Sequence, residues 1–249
     1  MPIIPAALQS CCNHTTRRSF LKTAGIATAA GLLTAGPFAQ LAYAAALTKA
    51  QRDKLTPDEI IAMMKRGNER FRSGKKTTQD FLAQQKASAK GQYPAAVILS
   101  CIDSRASAET IMDLGIGDVF NARVAGNIAN DDILGSMEFA CAAAGAKVVL
   151  VMGHTACGAI AGAIDDVKLG NLTGLLARIQ PAVKAATYQG DRSAKNSAFV
   201  DAVARKNVEL TMESIQKGSP VLSELKAKGA IKIVGAMYDI ASAKVDFLS

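Results

Sequence analysis

Two stretches of this 249-residue chain carry side chains able to do chemistry together: Ser100-Cys101-Ile102-Asp103-Ser104-Arg105 and Gly153-His154-Thr155-Ala156-Cys157-Gly158. Cys101, His154 and Cys157 form a Cys2His set, which has the ligand types and number of a catalytic zinc site with its fourth position open. By ligand softness zinc is the first choice, although donor composition leaves cobalt and iron open. Two thiolates cancel the formal charge of Zn2+. Such a metal acidifies its water less than a three-histidine site does, and the water pKa is expected above the ~7 of the latter. Asp103 would orient the nucleophile as a hydrogen-bond acceptor, and its link to Arg105 would keep it off the metal. Arginine suits that task because its planar fork holds a carboxylate by two hydrogen bonds. Alone, an Asp-x-Arg at a strand end reads as a surface ion pair of small worth; beside three zinc-type donors it reads as part of a site.

Such a constellation needs two strand ends brought side by side. From Pro94 onward the chain has short continuous apolar runs at Ala95 to Leu99, Val119 to Phe120, Val148 to Met152 and Ile231 to Met237, bounded by Gly and Asp with helical patterns between. This is the pattern of buried parallel strands, so we expect an α/β fold with a mostly parallel central sheet flanked by helices. Both chemical stretches directly follow such runs, and ligands of open α/β sheets sit beyond the carboxyl ends of strands. His154 and Cys157, three apart at what reads as a helix start, are expected to face the same way. Ahead of the sheet, Thr56-Pro57-Asp58-Glu59 opens a helix with an N-cap, a first-turn proline and a capping box; Ile60, Met63, Met64 and Phe71 give it an apolar stripe ending near Gly74. This predicts an N-terminal helical arm. Asp131 to Ala144 and Lys195 to Gln216 read as further helices, with Cys141 a small buried hydrophobe inside the first.

The overall count is 29 Lys+Arg against 21 Asp+Glu with 49% apolar residues, which excludes a disordered, collagenous or disulfide-stapled chain. The first 44 residues hold no acid and the bases Arg17, Arg18 and Lys22. Thr16-Arg17-Arg18-Ser19-Phe20-Leu21-Lys22, a weakly apolar Ala- and Gly-rich stretch and Ala42-Tyr43-Ala44 read as a twin-arginine (Tat) export signal with its cleavage site. Residues 1–44 are therefore expected to be a cleaved signal peptide engaging the Tat translocase. Residues 45–249 would be one domain, periplasmic or secreted in a bacterium. Gly25, Gly31, Gly36 and Pro37 make the leader a poor bilayer span, so no stable membrane anchor is expected. Without the leader, one histidine (His154) and three cysteines (Cys101, Cys141, Cys157) remain. That excludes any mechanism needing two histidines in one subunit, and an odd thiol count argues for metal ligation over a disulfide framework. Lys75-Lys76 lacks aromatic interleaving or a wider basic run, so no nucleic-acid role is expected.

The motifs C-x-D-S-R and G-H-x-x-C-G, complete here and about 50 residues apart, resemble the signatures of the β-class carbonic anhydrases. The resemblance extends from about Leu55 to Phe247 and includes Arg123-Val124-Ala125-Gly126-Asn127 and Gly135-Ser136-Met137-Glu138-Phe139-Ala140. It implies reversible hydration of CO2 to bicarbonate by zinc hydroxide, with one Zn2+ per subunit on Cys101, His154 and Cys157. Asp103 is then a fourth ligand in a closed form, or is paired to Arg105 and replaced by water in an open one. The resemblance further implies a homodimer or higher homo-oligomer, in which Gln92 reaches across the interface to the substrate oxygen, with Gly126 also substrate-binding. Some bacterial members hold inhibitory bicarbonate with a Trp three residues before the first Cys ligand; that position is Ile98 here, and the chain has no Trp. Departures at Ala106-Ser107-Ala108-Glu109 and at Arg123-Val124 bear on pocket shape. The competing readings are a carbonyl sulfide or carbon disulfide hydrolase on the same zinc, and a non-catalytic zinc-binding protein permanently closed by Asp103.

Overall fold

The computed structural model describes residues 46–248; the expected signal peptide at 1–44 lies outside the described residues. The chain enters through three helices, α1 (Lys49–Lys54), α2 (Pro57–Arg72) and α3 (Phe81–Ser88). The expected capping box of α2 forms: the Thr56 hydroxyl accepts from the Glu59 N–H, and Glu59 answers at the Thr56 N–H. Helix α1, which the apolar pattern does not reveal, has the same device in Thr48 and Gln51. Its buried Arg52 donates to the Ala144 carbonyl at 2.6 Å, tying the arm to the body.

Next come β1 (Ala96–Ser100), α4 (Ala108–Ile111), β2 (Val119–Arg123), α5 (Asp131–Glu138) running into a π-turn at Phe139–Ala143, and β3 (Val148–His154). Five helices fill the long gap that follows: α6 (Gly158–Ile164), α7 (Gly170–Ala177), α8 (Gln180–Ala185), α9 (Ser197–Gly218) and α10 (Pro220–Ala227). The chain closes with β4 (Lys232–Tyr238) and β5 (Val245–Phe247). The sheet order is β2-β1-β3-β4-β5, parallel from β2 to β4, with β5 antiparallel on β4. The expected α/β architecture is therefore present, with an antiparallel edge strand that is too short to show in the sequence pattern.

Side chains alternate across β1. Ile98 packs with Met64, Ile111 and Leu150 on the face covered by α2 and α4, while Val97 and Leu99 pack with Met137, Val151 and Val208 on the face covered by α5 and α9. A third apolar cluster, with Ile160, Leu176, Ile179, Phe199 and Val203, lies against Cys101 and Cys157. Because the chain leaves β1 for β2 on one side and returns to β3 on the other, β1 and β3 flank a topological switch point, where the carboxyl ends of strands open a crevice. No helix among the described residues is long and apolar enough to cross a membrane.

Candidate metal centre

Cys101 follows the last residue of β1, and His154 is the last residue of β3, whose Met152 lies in register with Ser100. The two residues thus reach the switch-point crevice from neighbouring strands. Cys157 arrives differently from the expectation of a shared helix face: it is the N-cap of α6, and His154 belongs to the strand. The two converge through a turn in which Ala156 takes φ +53, a conformation costly for a residue with a Cβ. Asp201 accepts the Ala156 N–H at 2.9 Å and holds that turn.

The sulfurs of Cys101 and Cys157 and a ring nitrogen of His154 lie within 4.8 Å of one another, all on buried residues. The His154 Nδ1 faces the Thr155 carbonyl at 2.9 Å and so carries the proton, leaving the Nε2 lone pair for the site. That Nε2 is buried and has no hydrogen-bond partner, an arrangement that costs free energy unless something binds it. The Cys157 thiol beside Cys101 pulls the Cys101 thiol well below the usual range. The same contact, together with burial, pushes Cys157 up. Both sulfurs are thiolate donors once deprotonated, the form in which cysteine binds a metal. Burial works to lower the His154 imidazole, but the neighbouring Cys101 sulfur, the Thr155 carbonyl and the Asp103 charge outweigh it and leave it raised. Two cysteine sulfurs and an imidazole nitrogen without a hydrogen-bond partner, all buried and converging, are donors that fit zinc.

Asp103 stands at the rim with Oδ2 3.9 Å from His154 Nε2. Arg105 donates from Nε to Oδ1 at 3.0 Å, from Nη2 to Oδ2 at 2.8 Å and from its backbone N–H to Oδ1 at 2.9 Å. This fork holds the carboxyl well below the ordinary carboxylate range. The loop carrying both residues is clamped by Arg123, whose guanidinium donates to the carbonyls of Cys101 (2.9 Å) and Asp103 (2.6 Å). Arg123, which in sequence stands out as part of the resembling segment and of the Arg123-Val124 departure, thus acts on the backbone of the ligand loop.

Gly126, at φ +67, donates its N–H to Cys101 Sγ at 3.4 Å, and its carbonyl accepts from Asn207 Nδ2 at 2.7 Å. The positive φ strains any residue with a Cβ, and a Cβ here would stand 2.6 Å from Ile179 Cδ1, so glycine is favoured. Its N–H and its carbonyl each have a partner within the protein. Gln92 is exposed and precedes β1, at the end of the strand opposite Cys101. One chain does not bring it to the cluster, and its expected place was across an interface. Beside the cluster a cavity of about 280 Å3 is bounded by Cys101, Ile102 and Asp103 on one side and by Ala159, Gly162, Leu172 and Leu176 on the other. Its walls are apolar apart from the site residues.

Residues 96–245 match the carbonic anhydrase family. The chain is 34% identical over 183 residues to carbonic anhydrase 2 of Mycobacterium tuberculosis, covering 71% of this chain and 86% of that protein. It is 30% identical over 192 residues to a carbonic anhydrase of Mycolicibacterium smegmatis, covering 75% and 90% respectively. Among solved structures, one of two tetrameric β-carbonic anhydrases of the ascomycete Sordaria macrospora matches with a TM-score of 0.57 at 27% identity, over 65% of this chain and 83% of that one. Motif, fold, site geometry and relatives lead to one conclusion: the chain belongs to the β-class carbonic anhydrase family.

Proposed function

We propose that the protein hydrates CO2 reversibly to bicarbonate and a proton at one zinc per chain, held by Cys101, His154 and Cys157. The observation that carries this reading is the juxtaposition of the three converging donors, including the unpartnered His154 Nε2, with an Asp103 carboxylate restrained by Arg105. When bound, zinc supplies the Lewis acidity that turns water into a nucleophile near neutral pH. Asp103, kept ionised by Arg105, accepts the hydrogen of the attacking water and turns its lone pair toward the carbon. The apolar cavity walls suit an uncharged triatomic substrate. Gln92 from a partner copy supplies a donor to a substrate oxygen, which requires a homodimer or larger homo-oligomer; the tetrameric relative supports that requirement. Gly126 leaves room for substrate and holds Cys101. The restraint on Asp103 favours this reading over a permanently closed structural zinc site, which would use the carboxylate as its fourth ligand. Residues 1–44, on their motif alone, are proposed to send the chain through the Tat translocase to a periplasmic or secreted location.

The test is stopped-flow hydration of CO2 beside hydrolysis of carbonyl sulfide and carbon disulfide, with metal analysis on the same sample. A dominant CO2 rate with one zinc per chain is expected. A dominant sulfur-substrate rate would move the proposal to the hydrolase reading, and zinc without any turnover would move it to a structural role.

A further inference from the structure

We infer that helix α9 is the element that fixes the ligand-bearing loops relative to one another, with Asp201 and Asn207 as positioning residues for the metal centre; the inference rests on the zinc reading. The helix meets the neighbourhood of each donor. Near its start, Asp201 Oδ1 accepts the Ala156 N–H at 2.9 Å, in the left-handed turn that joins His154 to Cys157. One and a half turns later, Asn207 Nδ2 donates to the Gly126 carbonyl at 2.7 Å, and Gly126 in turn donates to Cys101 Sγ. The helix also lies against Gly153, the residue before His154, where a Cβ would stand 2.6 Å from Val208 Cγ2 and 3.6 Å from the Ala204 carbonyl oxygen.

Asn207 is 3% exposed and sits among Val203, Ala204, Val208 and Thr211 on the buried face of α9. An amide on an apolar helix face is unfavourable unless its polar atoms are used, and the Gly126 carbonyl is the use this one has. Through that bond Asn207 holds Gly126 at positive φ with its N–H aimed at the Cys101 sulfur. Asp201 likewise sets the path from His154 to Cys157. Neither side chain touches a ligand atom; each acts through one backbone group, as outer partners of metal ligands do.

The test uses the full chain with Asn207→Leu, Asp201→Ala and Asp201→Asn, the last retaining an acceptor oxygen. Zinc affinity against a competing chelator, the absorption spectrum of the cobalt(II) form and thermal unfolding of the metal-free form are measured for each. Asn207→Leu and Asp201→Ala are expected to weaken zinc about 10- to 100-fold and to shift the cobalt bands, with Asp201→Asn close to wild type. Unchanged cobalt bands and zinc affinity within twofold of wild type, with only the metal-free protein melting lower, would overturn the inference. Should Asn207→Leu fail to fold, the partly exposed Asp201 pair decides the matter alone. A wild-type chain that binds neither metal would overturn the zinc reading itself, a result distinct from variants that bind as wild type does.

Discussion

The Arg105 guanidinium occupies both oxygens of the Asp103 carboxylate, at 3.0 and 2.8 Å, while Oδ2 stays 3.9 Å from His154 Nε2. On the proposed reading, a carboxylate this close to bound zinc would compete for the open position, and the fork would keep it off. Arg105→Ala should therefore lower kcat/KM for CO2 about 10- to 100-fold while zinc content stays at the wild-type level. Arg105→Lys, a point charge without the fork, should fall between the two. Stopped-flow kinetics and metal analysis check this; wild-type kcat/KM for Arg105→Ala at every pH would remove the restraining role.

The activity should rise with pH, with its midpoint above the ~7 of a three-histidine zinc site, because two thiolates neutralise the metal charge. His154 is the single histidine of residues 45–249, and both of its ring nitrogens are committed, Nδ1 to the Thr155 carbonyl and Nε2 to the site. With no second imidazole to carry the proton out, added buffer should accelerate turnover when buffer is scarce. A rate independent of buffer concentration at the lowest levels tested would count against this route.

A pH dependence of folding should arise away from the site. Burial pushes the Asp113 carboxyl up, but the Thr77 backbone N–H, the Arg70 guanidinium and the Thr77 hydroxyl outweigh it and hold it below the ordinary aspartate value. A depressed carboxyl contributes stability that is present in full above its unfolded value of about 3.9 and is lost as pH falls below that toward the folded value. Asp113→Asn tolerates the local φ of +49 and should cost about 1 kcal/mol at pH 7. The difference from wild type should shrink as pH drops below about 4, as read by denaturant unfolding across pH.

Export can be tested without the enzyme domain. Residues 1–44 fused to a reporter should carry it out of the cytoplasm, and the Arg17→Lys, Arg18→Lys pair should abolish transport. Undiminished export of that pair would identify a general secretory signal, and the protein would then take up its metal outside the cytoplasm.

Strands β1, β3 and β4 and the donor set were legible because each depends on a local pattern, a continuous apolar run in one case and a short motif in the other; β2, expected as a buried strand, is instead the half-exposed edge strand Val119–Arg123, whose Asn121 and Arg123 are exposed. What lay beyond such patterns was not legible. Strand β5 spans only Val245–Phe247 with an Asp at its centre. The His154 to Cys157 spacing of three imitates one helix face; the actual turn depends on Ala156 at φ +53, which an alanine does not announce as a glycine would. Asp201 and Asn207 act on residues 45 and 81 positions away, a separation no local pattern records. One signal was present: Asn207 interrupts the apolar stripe that marks α9 as a packed helix.

On the proposed reading, one metal held by Cys101, His154 and Cys157 makes this chain a CO2 hydratase. Zinc content and CO2 hydration rate, measured on the same samples of wild type and Cys157→Ala, test it most directly. One zinc per chain and full activity are expected in the wild type, and loss of both in the variant. Full zinc content in Cys157→Ala, or wild-type turnover without zinc, would contradict it.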